Sequence, residues 1–158
     1  MDEIPDYSNV VIRPPLAWAL AISAGFVIDA FLHLPFVPPT LLVTSLGGAI
    51  FALGFFLAIW AVVTIRRAGT NIETSKPTRK IVSSGPFSYM RNPVYTGMFL
   101  GEIGLAVAFS TLWLLIMLAP FYLVIRYGVV AREEAYLERK FGQDYLDYKS
   151  RVPRWPWS

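Results

Sequence analysis

The chain has 158 residues, 55% of them hydrophobic and 16% charged, with a mean hydropathy of +0.49, a balance that excludes an ordinary soluble domain and leaves room for one compact membrane domain. It contains no cysteine, which excludes disulfides, thiolate metal sites, thiol nucleophiles and cysteine-linked lipid anchors, and no metal is expected. Its net charge of +3, from 14 Lys and Arg against 11 Asp and Glu, does not point to nucleic acid, because placement matters more than the sum.

The first nine residues carry Asp2, Glu3 and Asp6, whereas a cleavable signal peptide begins with basic residues, so the first apolar segment is expected to stay as an anchor. That segment, 16–32, is short, holds Asp29 near its end and follows Pro14 and Pro15, which suit a first helical turn. The second, 41–65, has no charge and exceeds the roughly 20 residues needed to cross a core about 30 Å thick.

A polar loop, 66–93, follows, with Arg66, Arg67, Lys76, Arg79, Lys80 and Arg91. The first five of these set orientation and touch anionic lipid headgroups. The third apolar segment, 94–109, is interrupted by Glu102, and Gly97, Gly101 and Gly104 give it a small-residue stripe for close helix packing. The stripe permits a dimer without requiring one, and the oligomeric state stays open.

The fourth segment, 112–131, has Pro120 near its middle and Arg126 towards its end, and only Ser110 and Thr111 separate it from the third. So short a connection predicts an antiparallel hairpin of two helices packed against each other. In the tail, Leu137, Phe141, Tyr145 and Tyr148 recur at helical spacing, Gly142 offers a break, and Trp155 and Trp157 close the chain. That pattern predicts an amphipathic interfacial helix with an aromatic belt.

The expected fold is therefore all-α: a polytopic membrane helical bundle of about four transmembrane helices, the last two a tight hairpin, plus the C-terminal interfacial helix. One membrane domain covers 1–158, divided into two N-terminal helices (1–65), a loop (66–93) and the hairpin with its tail (94–158). An even number of crossings puts both termini and the loop on one face, and the positive-inside bias makes that face cytoplasmic.

Two polar clusters stand out. The first is Gly85-Pro86-Phe87-Ser88-Tyr89-Met90-Arg91-Asn92-Pro93-Val94-Tyr95-Thr96-Gly97, leading into the third helix. The second comprises Arg132-Glu133-Glu134-Ala135-Tyr136-Leu137, then Phe141-Gly142-Gln143-Asp144-Tyr145-Leu146-Asp147-Tyr148, then Arg151-Val152-Pro153-Arg154. The hairpin brings both to one membrane surface, where a site takes a polar cofactor from water and an apolar chain from the bilayer. Glu133 shares a helical face with Leu137, Phe141 and Tyr145 and is expected to point inward, whereas Glu134, rotated by about 100°, is expected to face solvent.

These clusters resemble the signature of the isoprenylcysteine carboxyl methyltransferase and phospholipid methyltransferase group of integral membrane enzymes. That signature runs G-P-[FY], R-[HN]-P-x-Y-x-G, a hairpin, E-E-x-x-L, F-G-x-x-Y-x-x-Y and R-V-P, and every part occurs here in order. The resemblance implies a methyltransferase that uses S-adenosylmethionine and acts on a lipid or lipophilic small molecule with a carboxylate, amine or thiol acceptor. It implies cofactor contacts from Asn92, Pro93, Tyr95 and Glu133, with Gly85 nearby; Tyr89, Arg91 and Glu134 complete the candidate cofactor set. Arg91 suits the cofactor's carboxylate because its planar fork matches that group.

This chain departs from the carboxyl methyltransferases at two positions. They carry His where Asn92 stands, and an Arg assigned to the substrate carboxylate where Val129 stands. Arg126 and Arg132 are the candidate substitutes. Glu102, seven residues after Tyr95 and on the same helical face, is a candidate general base, since an ionisable group at that depth marks either function or a structural pair. Asp29 and the lone His33 lie near the opposite face and are expected to be interfacial. Two other classes compete: a non-catalytic lipid-binding scaffold, and a relative of the much longer NADPH-dependent sterol reductases.

Overall fold

The computed structural model describes residues 6–158; Asp2 and Glu3 lie outside them. The helices run α1 (Pro14–Phe31), α2 (Leu41–Arg67), α3 (Pro93–Phe109), α4 (Leu112–Leu123), α5 (Ala131–Phe141) and α6 (Gln143–Arg151). A 3-10 turn at Gly85–Ser88 precedes α3, and a π-helical stretch at Val124–Val130 joins α4 to α5. No strand occurs among the described residues.

Local chemistry sets the boundaries. Proline occupies the first turns of α1 and α3, where a missing backbone donor costs nothing. Thr40 caps α2, its hydroxyl accepting from the Val43 N–H at 3.3 Å, and Arg66 and Arg67 sit in the last turn of α2, where cations complement the helix dipole. Ser110 ends α3 in the left-handed region at φ 51°, and α4 starts two residues later.

Three helical runs are long and apolar enough to cross a membrane: α1, α2 and the 30-residue rod Leu112–Phe141. With 17 residues, α3 is about 25 Å long at 1.5 Å per residue, slightly less than the hydrocarbon core. The protein is an integral membrane helical bundle.

Glycine decides the packing of α3. A Cβ added at Gly54 of α2 would stand 2.5 Å from the Gly97 carbonyl oxygen, and one added at Gly97 would stand 2.5 Å from that of Gly54. The two backbones touch because neither residue carries a side chain. Trp18 of α1 lies over Gly101, so the stripe is used inside the chain.

The two-residue turn is present and α3 packs on α4, with the Phe99 and Phe121 rings 5.0 Å apart, while the most extensive contacts of α3 are with α2 and those of α4 with α1. The small residues that permit closest approach lie on α2 and α3. One correction concerns the tail. No break separates α4 from α5; the helix passes through the π-helical stretch to Phe141 and turns only at Gly142. Pro120, one turn before that stretch, cannot donate to the preceding turn. Trp155, expected at the interface, is buried against Phe99 and Tyr122, whereas Trp157 is 62% exposed.

Asp29 and His33 fasten the opposite end. Asp29 accepts from the Thr111 hydroxyl at 2.8 Å and lies 3.1 Å from His33 Nδ1. Together with the Ser110 hydroxyl, which donates to the Val37 carbonyl, they tie the α1–α2 loop to the α3–α4 turn.

Candidate active site

Gly85 opens the first cluster at φ 58°, a left-handed conformation that favours glycine. A Cβ there would stand 3.0 Å from the Thr64 hydroxyl oxygen, so the turn docks against the end of α2. Asn92 is held non-helical by the proline that follows, and Pro93 then starts α3. Tyr95 therefore projects from the first turn of α3.

The second cluster folds back onto the first through backbone and side-chain bonds. The Arg91 N–H donates to the Pro153 carbonyl at 2.9 Å. The Asn92 side-chain amide donates to the Arg154 carbonyl at 3.1 Å, and the Tyr148 hydroxyl donates to the Phe87 carbonyl at 2.8 Å. These bonds span 61 or 62 residues, and they make the R-V-P segment a structural partner of the R-N-P segment.

At the centre, the Tyr95 hydroxyl donates to the Glu133 carboxylate, 2.9 Å from one oxygen and 3.1 Å from the other. Glu133 is inward, as expected. Glu134 is buried rather than exposed. It lies 3.0 Å from Arg91 Nη1 and takes a bidentate pair from Arg154 at 2.9 and 2.6 Å. Periodicity alone placed it in solvent because a surface helix has one covered face; here the loop before α3 and the returning tail both enclose the first turn of α5. Sequence reasoning passed over Arg154, although its place one residue after R-V-P was visible.

A cavity of about 880 Å³ lies beside these groups. Its lining includes Arg91, Asn92, Pro93, Tyr95, Glu133 and Glu134 together with Leu16, Phe55, Ile59, Val62, Val94 and Met98. The loop after α2 contributes Thr70 through Thr74, and Tyr136 contributes from α5. The Tyr136 hydroxyl, a group sequence reasoning did not single out, accepts from the Thr78 N–H at 3.0 Å and donates to Asp6 at 3.0 Å. It joins the loop to the N-terminal segment over the cavity.

Two tyrosines beyond the membrane helices complete the wall. Burial raises the Tyr145 hydroxyl to about 12, with the Glu134 charge adding to the effect, and burial also raises Tyr148. Both are neutral near pH 7, and Tyr148 acts as a hydrogen-bond donor, to the Phe87 carbonyl. The ion pair with Glu134 raises Arg154 further above its usual value.

The remaining candidates lie elsewhere. Glu102 is fully buried inside the bundle with neither carboxylate oxygen hydrogen-bonded, and it is not part of the cavity wall. Arg126 stacks over the Tyr127 ring at 5.2 Å. Arg132 donates to the Asn9 carbonyl at 2.9 Å, and Tyr89 is 69% exposed. None of these three lines the cavity, nor does Gly85. Arg126 is half-buried and Arg132 exposed. Val129 is fully buried in the core with Tyr95.

The family model described as phospholipid methyltransferase matches residues 42–144. Protein-S-isoprenylcysteine O-methyltransferase B of Arabidopsis thaliana is 26% identical over 148 residues, covering 92% of this chain and 75% of the relative. The Rattus norvegicus protein-S-isoprenylcysteine O-methyltransferase is 30% identical over 123 residues, 75% of this chain and 43% of that one. Nickel-cobalt-cadmium resistance protein NccN of Alcaligenes xylosoxydans xylosoxydans is 28% identical over 110 residues, 70% of this chain and 51% of that one. The chain thus spans about half or less of the rat and Alcaligenes relatives. No solved structure matches.

Proposed function

Because the chain belongs to the phospholipid methyltransferase family of membrane methyltransferases, we propose that it methylates a lipid or another membrane-partitioned small molecule, with S-adenosylmethionine as donor, at the cytoplasmic face. The observation that carries this reading is one cavity lined both by carboxylates and a guanidinium and by aliphatic and aromatic side chains of the membrane helices.

The residues present fit that donor. Tyr95 supplies one proton to Glu133, and a carboxylate offers about four lone-pair sites, so Glu133 retains capacity for ribose hydroxyls or an ammonium. Arg91, paired through Nη1 with Glu134, keeps a buried Nε donor without a hydrogen-bond partner, suited to a carboxylate. When bound, the donor supplies an electrophilic methyl group on a sulfonium.

A carboxylate set against the sulfonium would stabilise the reactant more than the transition state, so Glu133 belongs at a hydroxyl or ammonium. Glu134, neutralised by Arg91 and Arg154, holds those guanidinium groups in place. The chain's part in catalysis is then to orient both substrates and exclude water. Little contact exists between α1 and α2, and both contribute apolar side chains to the cavity lining, which supports entry of the acceptor from the bilayer.

The test is transfer of labelled methyl from S-adenosylmethionine into a lipid extract by the purified protein. Incorporation supports the reading; its absence, with the protein stabilised by NADPH, favours a reductase. No response to either ligand favours a lipid-binding scaffold.

A further inference from the structure

A second, polar pocket of about 420 Å³ lies outside the cavity, behind Arg91. It is lined by Arg91, Lys149, Arg151 and Arg154 together with Pro153 and Ser158. Its four cations face two carboxylates that pair with them: Glu134 with Arg91 and Arg154, and Glu138 with Lys149. The side chains alone leave two positive charges uncompensated. Arg151, exposed at the end of α6, pairs with no carboxylate among the described residues. A cluster of cations with surplus positive charge attracts an anion that supplies the missing acceptor.

The pocket's position says what that acceptor is. Pro153, Arg154 and Ser158 frame Trp155, which packs on Phe99 and Tyr122 of the membrane helices. Trp157 stacks parallel on Trp155 at 5.6 Å and is exposed, as an interfacial tryptophan is. The basic pocket therefore sits at headgroup depth beside the bundle. Arginine forks match phosphate oxygens bidentately, and lysine adds a point charge.

We propose that this pocket docks the phosphate of an anionic phospholipid headgroup from the same leaflet. The proposal does not depend on the methyltransferase reading, since the pocket shares only Arg91 with the larger cavity.

The test is lipid retention in native mass spectrometry of the detergent-purified chain, after exposure to phosphatidylglycerol or phosphatidylcholine. Phosphatidylglycerol should be retained several-fold better, as one tight molecule, and the preference should vanish in Arg151→Gln and in Lys149→Gln/Arg151→Gln. A control, Arg66→Gln/Arg67→Gln, removes charge from the end of α2 and should keep the preference. Equal retention of both lipids would overturn the proposal, as would a preference that survives the pocket variants or falls equally in the control. Inorganic phosphate or glycerol 3-phosphate displacing the lipid at millimolar concentration would show a free-anion site and also overturn it.

Discussion

The Tyr95 hydroxyl and the Glu133 carboxylate meet at 2.9 and 3.1 Å across 38 residues of sequence, joining the start of α3 to the start of α5. A hydrogen bond to a charged group contributes about 1.5–3 kcal/mol. A double-mutant cycle of Tyr95→Phe and Glu133→Gln, read as affinity for S-adenosylhomocysteine, should show a coupling of at least about 1 kcal/mol. Additive effects would mean that the bond plays no part in shaping the pocket.

Glu134 lies between two guanidinium groups. Removing the carboxylate leaves Arg91 and Arg154 facing each other without a counter-ion, and breaking a mostly buried pair costs about 3–5 kcal/mol. Glu134→Ala should lower the melting temperature in detergent sharply, and more than Glu133→Ala does. Equal melting temperatures would contradict the buttress role.

The α2–α3 contact tolerates no side chain. Gly54→Ala places a Cβ 2.5 Å from the Gly97 carbonyl oxygen, and overpacking of this kind costs about 1–3 kcal/mol. Gly48→Ala, which meets nothing within 4 Å, is the matched control on the same helix. A destabilisation common to both would point to helix propensity rather than close approach.

The N-terminal segment is held by a pH-sensitive clasp. Hydrogen bonds from Lys140 and Tyr136 hold the Asp6 carboxyl below its usual value. A lowered folded-state pKa means that the clasp contributes fully above the unfolded value near 3.8 and is lost as pH falls through the lowered folded value. Hydrogen exchange in residues 6–13 should be flat from pH 7 to 5 after correction for intrinsic rates, and should accelerate on further acidification. Asp6→Asn should show the faster exchange already at pH 7. An unchanged rate in that variant would remove the clasp from the account.

Much of the bundle was legible because hydrophobic runs, prolines and the Ser110-Thr111 turn mark helix ends directly. Glu133 was placed inward correctly, since periodicity reports one buried face. The same rule misplaced Glu134, because periodicity does not show a distant segment returning to cover the opposite face, and Arg154 arrives from 20 residues away. Helix pairing was harder still. The turn names which helices follow each other, whereas Gly54 against Gly97 decides which ones approach most closely. Arg126 and Arg132 were drawn into the site by charge and proximity in sequence, but neither lines the cavity.

The most direct test of the central claim, that two distant segments build one cofactor pocket, is equilibrium binding of S-adenosylhomocysteine to the protein in nanodiscs, with Glu133→Ala beside it and NADPH as control. The account predicts saturable binding of S-adenosylhomocysteine alone, weakened by at least about tenfold in the variant, as expected for losing a charged hydrogen-bond acceptor. Absence of binding to the folded protein, or binding unaffected by Glu133→Ala, would contradict it.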